Sequence, residues 1–344
     1  MSREFHPDRP LAIDLLCVAE VTPAALFGLY EVLSSVGVAW RQFTGEKVQV
    51  RPTRLRIVAG DGRPFPSALG TPIAPHAGLA EATGADIVIA CDIALDPACD
   101  PRGRWPKERD WLRARRAEGA MICSICTGAI LLADAGFLDG GEATTHWSVA
   151  DLFDRCFPQV ALRPDRILSE RPGNPPILTA GGASSWEDLA LHLVARFCGK
   201  AEAIRLSKLF LIGDRRAGQL PYAAGNHPRP HADGPVARAE RWLALNYTHA
   251  NAVARMVEEA GLSERSFKRR FKAATGSAPV DRVQALRIAE ARRLLEEQEL
   301  SIDAVAQAVG YSDAGFFRRL FKRLTGLSPA QYRRQMQDVG AIPG

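Results

Sequence analysis

The chain has 344 residues, 47% of them hydrophobic, with 44 Lys/Arg against 39 Asp/Glu, a formal net charge of +5. That length gives room for two domains with sizeable cores, and the mild charge excludes a wholly basic or wholly disordered protein. No apolar run reaches membrane-spanning length, nothing resembles a cleaved signal, and seven cysteines fit no disulfide framework, so a reducing, cytoplasmic setting is expected.

In chain order, residues 1–10 read as a disordered tail, and 11–212 alternate short apolar runs with helical patterns. Strands are expected at Leu11–Val18, Val48–Val58, Asp86–Ala90 and Ala120–Ile125, with helices at Pro23–Val36 and Trp111–Ala117. This is the pattern of an α/β sandwich around a mainly parallel sheet. The strand ending at Ile125 runs directly into a helical stretch, Cys126-Thr127-Gly128-Ala129-Ile130-Leu131-Leu132-Ala133. A side chain on so tight a strand-to-helix turn forms an elbow, where the helix dipole is expected to lower a thiol pKa and favour anions. Cys123 lies in the strand and is expected to face the core, while the elbow is expected to expose Cys126 and so leave it open to oxidation. Trp105, Trp111, Trp147 and Trp186 read as core or pocket wall.

Residues 213–235 are dense in Pro, Gly and His and have no apolar period, as a linker should. His227 and His231 lie four apart in it, but the prolines between them keep them off a helix, so no metal is expected there. Residues 236–336 then state one pattern twice, before a short tail at 337–344. Gly261-Leu262-Ser263-Glu264-Arg265-Ser266-Phe267-Lys268-Arg269-Arg270-Phe271 returns as Gly310-Tyr311-Ser312-Asp313-Ala314-Gly315-Phe316-Phe317-Arg318-Arg319-Leu320-Phe321. The offset is 49 at the glycines and 50 at the last Phe, so the second copy carries one extra residue.

Each copy has an apolar leading helix, a Gly turn, a capping serine (Ser263, Ser312) and a basic amphipathic helix. That is a helix-turn-helix, whose second helix enters a major groove. Ala285–Leu295 reads as a connecting helix that fixes the separation of the two modules. Residues 235–335 hold 18 Lys/Arg and 11 Asp/Glu, a net of +7. With the whole chain at +5, the remainder sums to −2. The positive potential is therefore localised, as contact with phosphate requires.

With these residues in view, 236–335 resemble the DNA-binding domain of the AraC/XylS family of bacterial transcription regulators. The matching pieces include Arg-Ile-Ala-Glu-Ala-Arg-Arg-Leu-Leu (287–295) and Gly-Leu-Ser-Pro-Ala-Gln-Tyr-Arg-Arg (326–334). The resemblance implies that one chain places two recognition helices in successive major grooves. It implies base contacts from Ser263, Arg265, Ser266 and Arg269, and from Asp313, Ala314, Gly315, Arg318 and Arg319. Lys268, Lys272, Lys322 and Arg323 are expected on phosphates, which position without specifying sequence. A second resemblance rests on Ile125-Cys126-Thr127-Gly128-Ala129, Ala143-Thr144-Thr145-His146-Trp147 and Gly181-Gly182-Ala183-Ser184. These look like the ThiJ/PfpI domain of the class-I glutamine-amidotransferase-like superfamily, an amidotransferase- or flavodoxin-like fold. Its fusion to an AraC-type reader resembles the GlxA subgroup.

The enzymes of that superfamily use the elbow Cys as nucleophile and a His as base, here Cys126 and His146. Two departures point away from catalysis. Ala25 stands where family members carry an acid, and Cys91-Asp92 replaces a Gly-Gly turn suited to an oxyanion site. Cys126 and His146 are therefore read as vestigial, and the cleft as a sensor for a small metabolite. Its expected ligand residues are Cys126, Thr127, His146, Trp147, Asp92, Gly182 and Ser184. The subgroup implies an amino acid, betaine or other nitrogen compound as effector, a homodimer, and an activator acting with RNA polymerase at the nucleoid. No cofactor is expected. The alternatives kept open are a cysteine-dependent amidase or hydrolase and a thiol redox sensor, both through Cys126.

Overall fold

The computed structural model describes residues 9–213 and 231–337. Contacts divide the chain into two compact units, Met1–Gln219 and Leu220–Gly344. Most of the linker, including His227, lies outside the described residues, as do residues 1–8 and 338–344.

The first unit is built on β1 (Leu11–Leu16), β2 (Thr53–Val58), β5 (Ile87–Ala90), β6 (Met121–Ile125), β9 (Leu168–Arg171) and β10 (Ile177–Ala180). They form one six-stranded sheet in the order β2-β1-β5-β6-β10-β9, parallel throughout except for the antiparallel edge strand β9. Two short ladders lie apart from it: β3 (Phe65–Pro66) with β4 (Pro72–Ile73), and β7 (Glu142–Ala143) with β8 (Ala161–Leu162). The central strands are largely apolar because helices cover both faces. The two-residue side-chain period then sorts them. Leu11, Ile13, Leu15, Ile87, Ile89, Met121, Cys123 and Ile125 join one core, and Leu16, Val88, Ala90 and Ile122 join the other.

The first core is closed by α1 (Pro23–Ser34), α6 (Trp186–Phe197) and α7 (Lys200–Leu209), with the short α2 (Ala39–Thr44) against α7. The second is closed by α3 (Pro106–Ala117), α4 (Ala129–Asp134) and α5 (Ala150–Cys156). The indole of Trp186 packs so closely on α1 that a Cβ on Gly28 would lie 2.5 Å from it. Trp105 and Trp111 are buried in the second core. The second strand starts later than expected: β2 begins at Thr53, and residues 48–52 precede it. Residues 9 and 10, expected in a disordered tail, also depart from expectation. Arg9 is instead tied down: its guanidinium donates to both oxygens of the fully buried Asp86, at 3.0 and 2.5 Å. Asp86 also accepts from the Ala12 amide at 3.0 Å, which locks the start of β1.

The second unit is all helical: α8 (Gly234–Asn246), α9 (Ala252–Ala260), α10 (Glu264–Thr275), α11 (Pro279–Glu297), α12 (Ile302–Ala308), α13 (Ala314–Thr325) and α14 (Pro329–Gln337). Gly261 ends α9 with φ +65°, and Gly310 follows α12 with φ +88°, both as the turns demand. Ser263 caps α10 as expected, accepting from the Ser266 amide. The second cap differs from expectation. Asp313, not Ser312, caps α13, its carboxylate accepting from the Phe316 amide at 2.9 Å. The extra residue of the second copy falls between Gly310 and this cap, so Asp313 stands 50 positions after Ser263 and takes its role. At the entry to α8, Asp233 caps the helix and binds Arg270 of α10 through both oxygens, at 2.8 and 2.9 Å. His231 beside it meets Glu240 at 2.8 Å.

Asp86→Ala leaves the Ala12 amide and the Arg9 guanidinium without their acceptor. The expected cost is about 3 kcal/mol, read as a shift in the urea midpoint of the full chain at unchanged slope.

Candidate nucleic-acid interface and elbow cleft

The elbow is a strained turn held by its neighbours. Cys126 has φ +51°, a left-handed conformation that non-glycine residues seldom adopt. Three contacts fix it. The Thr127 hydroxyl donates to the Ile93 carbonyl and accepts from the Ile93 amide, both at 2.7 Å. The Thr145 hydroxyl donates to the Cys126 carbonyl at 2.8 Å. Gly128 packs where any side chain would collide, since a Cβ there would sit 2.4 Å from the Ala90 oxygen and 2.5 Å from the Cys91 oxygen.

This packing buries the thiol, and Cys126 is only 6% exposed. Burial, reinforced by the charge of Asp92, pushes its pKa up to about 12 against the lowering effect of hydrogen bonds from Thr127. The expectation of an exposed, dipole-activated thiol is thus reversed: desolvation outweighs the first turn of a short helix. Cys123 faces the core as expected, and burial raises its thiol pKa too. All seven cysteines are free.

Ala25 is a buried core residue of α1, but Asp92, from the loop after β5, brings a carboxyl close enough to Cys126 to act on its ionisation. One Asp92 oxygen accepts from the Thr22 hydroxyl. The other is buried with no hydrogen-bond partner, and burial raises the Asp92 pKa. The side-chain hydrogen bonds of His146 among the described residues are to Ser148. Its Nδ1 accepts from the Ser148 amide at 3.2 Å and lies 2.6 Å from the Ser148 hydroxyl, and no hydrogen bond joins it to Cys126 among the described residues. Burial lowers its pKa, and its ring packs against Trp147 with centroids 5.1 Å apart. Cys126, Thr127 and Asp92 therefore form one cluster, with His146 and Trp147 following the Thr145 contact. Gly182 opens the turn from β10 into α6, and Ser184 is exposed on it.

The sequence reading missed a neighbouring cleft. It has a volume of about 440 Å³ and lies beyond the carboxyl ends of β1 and β2, walled by Cys17, Glu20, Phe65, Arg104, Trp105 and Glu108 among others. None of the seven expected ligand residues lines it. Glu20 accepts there from Arg104 at 2.7 Å and from the Trp105 indole at 3.3 Å. In the sequence, Cys17 and Glu20 are marked only by lying just past a strand end, and Trp105 by its reading as core or pocket wall.

In the second unit, Phe267 and Phe271 of α10 and Phe317, Leu320 and Phe321 of α13 turn inward. Arg265, Lys268, Arg269 and Lys272 are exposed on α10, as are Arg318, Arg319, Lys322 and Arg323 on α13. Ser263 is exposed at the tip of α10 and Ser266 is half-buried; Asp313 is exposed at the tip of α13, and Ala314 and Gly315 are half-buried. Lys268 pairs with Glu264 at 2.5 Å, and its counterpart Arg318 pairs with Asp303. Arg323 donates to Gln284 of α11 at 3.2 Å. Arg265, Arg269, Arg319 and Lys322 share the side opposite the buried phenylalanines. Phe316, 42% exposed at the position that corresponds to Ser266, is an apolar surface residue that the sequence reading passed over.

The raised Cys126 pKa makes a kinetic expectation. At pH 8 iodoacetamide should label Cys126 in the folded chain on the order of a thousandfold more slowly than a free thiol. Peptide mapping after timed quenching reads this, and prompt labelling at pH 8 would contradict the burial.

A helix-turn-helix domain model matches residues 256–335. The regulator CdhR of Pseudomonas aeruginosa is 28% identical over 288 residues, covering 81% of each chain. The regulator GlxA of Rhizobium meliloti is 32% identical over 231 residues, which cover 65% of this chain and 68% of GlxA. An isonitrile hydratase of Pseudomonas putida is 28% identical over 190 residues, 55% of this chain and 73% of the enzyme. The match to the two regulators runs beyond the length of the helical unit, and the parallel sheet with its Cys elbow is the fold implied by the ThiJ/PfpI resemblance. The chain belongs to the AraC-family transcriptional regulators of the GlxA type, with a helix-turn-helix DNA-binding domain.

Proposed function

We propose that this regulator reads a two-part DNA site with α10 and α13, and that a small metabolite carrying a cationic nitrogen controls it from the carboxyl edge of the N-terminal sheet. The observation that carries the effector reading is the buried, partnerless oxygen of Asp92. An uncompensated buried carboxylate costs free energy, and a cationic ligand removes that cost. The effector shifts the balance between two arrangements of a homodimer to the extent that it binds them with different affinity. Activation through contact with RNA polymerase is the mode carried over from the family resemblance.

The acid beside the thiol and the likeness to a hydratase favour a second reading, a Cys126-dependent hydration or hydrolysis. The protonated, buried thiol and the bonding of His146 to Ser148 weigh against it, and against peroxide sensing at Cys126. A Cys126→Ala chain that keeps its effector response supports the sensor. Loss of a thiol-dependent turnover in that variant supports the enzyme.

Asp92 gives a test with a definite sign. Its folded-state pKa is raised, so the stability linked to its protonated form is present at acid pH and is lost as the pH rises through the raised value. Asp92→Asn should therefore melt above the parent at pH 8, with the difference closing toward pH 4. In thermal melts of the full chain, glycine betaine or arginine should raise the parent's midpoint and leave that of Asp92→Asn unchanged. Stabilisation by succinate alone would overturn the cationic reading.

For DNA, Arg269→Ala and Arg319→Ala should each relax sequence preference by ~1–3 kcal/mol, as loss of a bidentate base contact does. Lys272→Ala should weaken all sequences alike and reduce the salt slope by about one. Competition between selected and random duplexes at several salt concentrations measures both.

A further inference from the structure

The DNA-binding unit contains two small cores that do not merge among the described residues. One gathers α8, α9 and α10 around Phe267 and Phe271, the other α12, α13 and α14 around Phe317 and Phe321. They share only α11, which gives Val283 and Leu286 to the first and Ile288, Ala291, Leu294 and Leu295 to the second. Among the described residues, no helix of one core packs broadly on a helix of the other.

Arg287 stands on α11 between these two sets, 7% exposed. Its Nε donates to the Tyr247 carbonyl at 2.7 Å and its Nη2 to the His249 carbonyl at 2.9 Å, both in the turn between α8 and α9. Its Nη1 donates to the Gly310 carbonyl at 3.0 Å, in the turn before α13. The guanidinium also lies over the Tyr311 ring, 4.8 Å from its centroid. The two turns abut directly: a Cβ on Gly310 would sit 2.4 Å from the Thr248 oxygen. One planar side chain with fixed donor directions thus ties a turn of the first module to a turn of the second.

We infer that Arg287 is a positioning residue for two-part recognition: it sets the angle and offset between α10 and α13, and through them the spacing that a DNA site must present. It touches no base. Helix α11 alone fixes the distance between modules but leaves them free to rotate about one shared element. The arginine, seated on both turns, removes that freedom. DNA whose halves are displaced by one base pair rotates one half by roughly a tenth of a turn, which a riveted pair of heads cannot follow.

The inference rests on the two-part reading, and the test separates the failure of each. The full chain is used to enrich a random-sequence duplex library, and the enriched motif is remade with one or two base pairs inserted between its blocks. The parent should enrich two blocks at one spacing and lose at least tenfold in affinity on insertion. Arg287→Met should bind the uninserted duplex roughly tenfold more weakly, yet lose less than threefold on insertion. Gly310→Ala, which forces the two turns apart, should show the same slack. A general loss of stability lowers affinity for every duplex and leaves the insertion penalty as it was. If Arg287→Met does not fold by circular dichroism, Arg287→Lys is read by the same criteria. A parent that enriches a single block overturns the two-part reading and this inference with it. A parent with two blocks and variants that keep its full insertion penalty overturn the inference alone.

Discussion

The elbow of the first unit depends on one backbone approach, that of Gly128 to the carbonyls of Ala90 and Cys91. Because no side chain fits between them, the turn after β6 is pressed onto the loop after β5, and Thr127 stitches the two together at Ile93. From this contact follow the left-handed Cys126, its loss of water, and the arrival of Asp92 beside it. The same geometry that in an enzyme presents a nucleophile here seals it. Burial wins over the helix dipole because the dipole acts through one short turn, whereas desolvation surrounds the thiol.

The helical unit solves a different problem. A single helix-turn-helix has too few residues to bury much apolar surface, so each module borrows half of α11. The arrangement makes stability and geometry separable. Phenylalanine pairs hold each module together, while a polar contact with no apolar substitute holds one module to the other. A buried guanidinium with three carbonyl acceptors is satisfied only in one relative orientation, which gives it directional content that hydrophobic packing lacks.

Much of this was legible in the sequence. The duplication, the Gly turns, the phenylalanines at i, i+4 and the outward basic residues all follow from helical spacing, and α10 and α13 carry them as expected. The strand-to-elbow passage at Ile125-Cys126 was equally plain. What the sequence concealed depended on tertiary distance. Nothing near Asp92 in the chain announces that its charge acts on Cys126, or that Arg287 finds carbonyls 40, 38 and 23 residues away. The cap at Asp313 was misread because two adjacent residues can both cap, and only the register of the extra residue separates them. The thiol pKa was misread because a linear pattern shows a helix start but not how much water reaches it.

The two caps, a hydroxyl at Ser263 and a carboxylate at Asp313, make the reading heads chemically unlike. A protein with two interchangeable heads sits on a repeated sequence facing either way along the duplex. One whose second head opens on a negative charge and an exposed Phe316, while the first opens on a hydroxyl and Arg265, has a front and a back. If α10 and α13 read DNA as proposed, the polarity of the chain on the duplex follows from the base sequence.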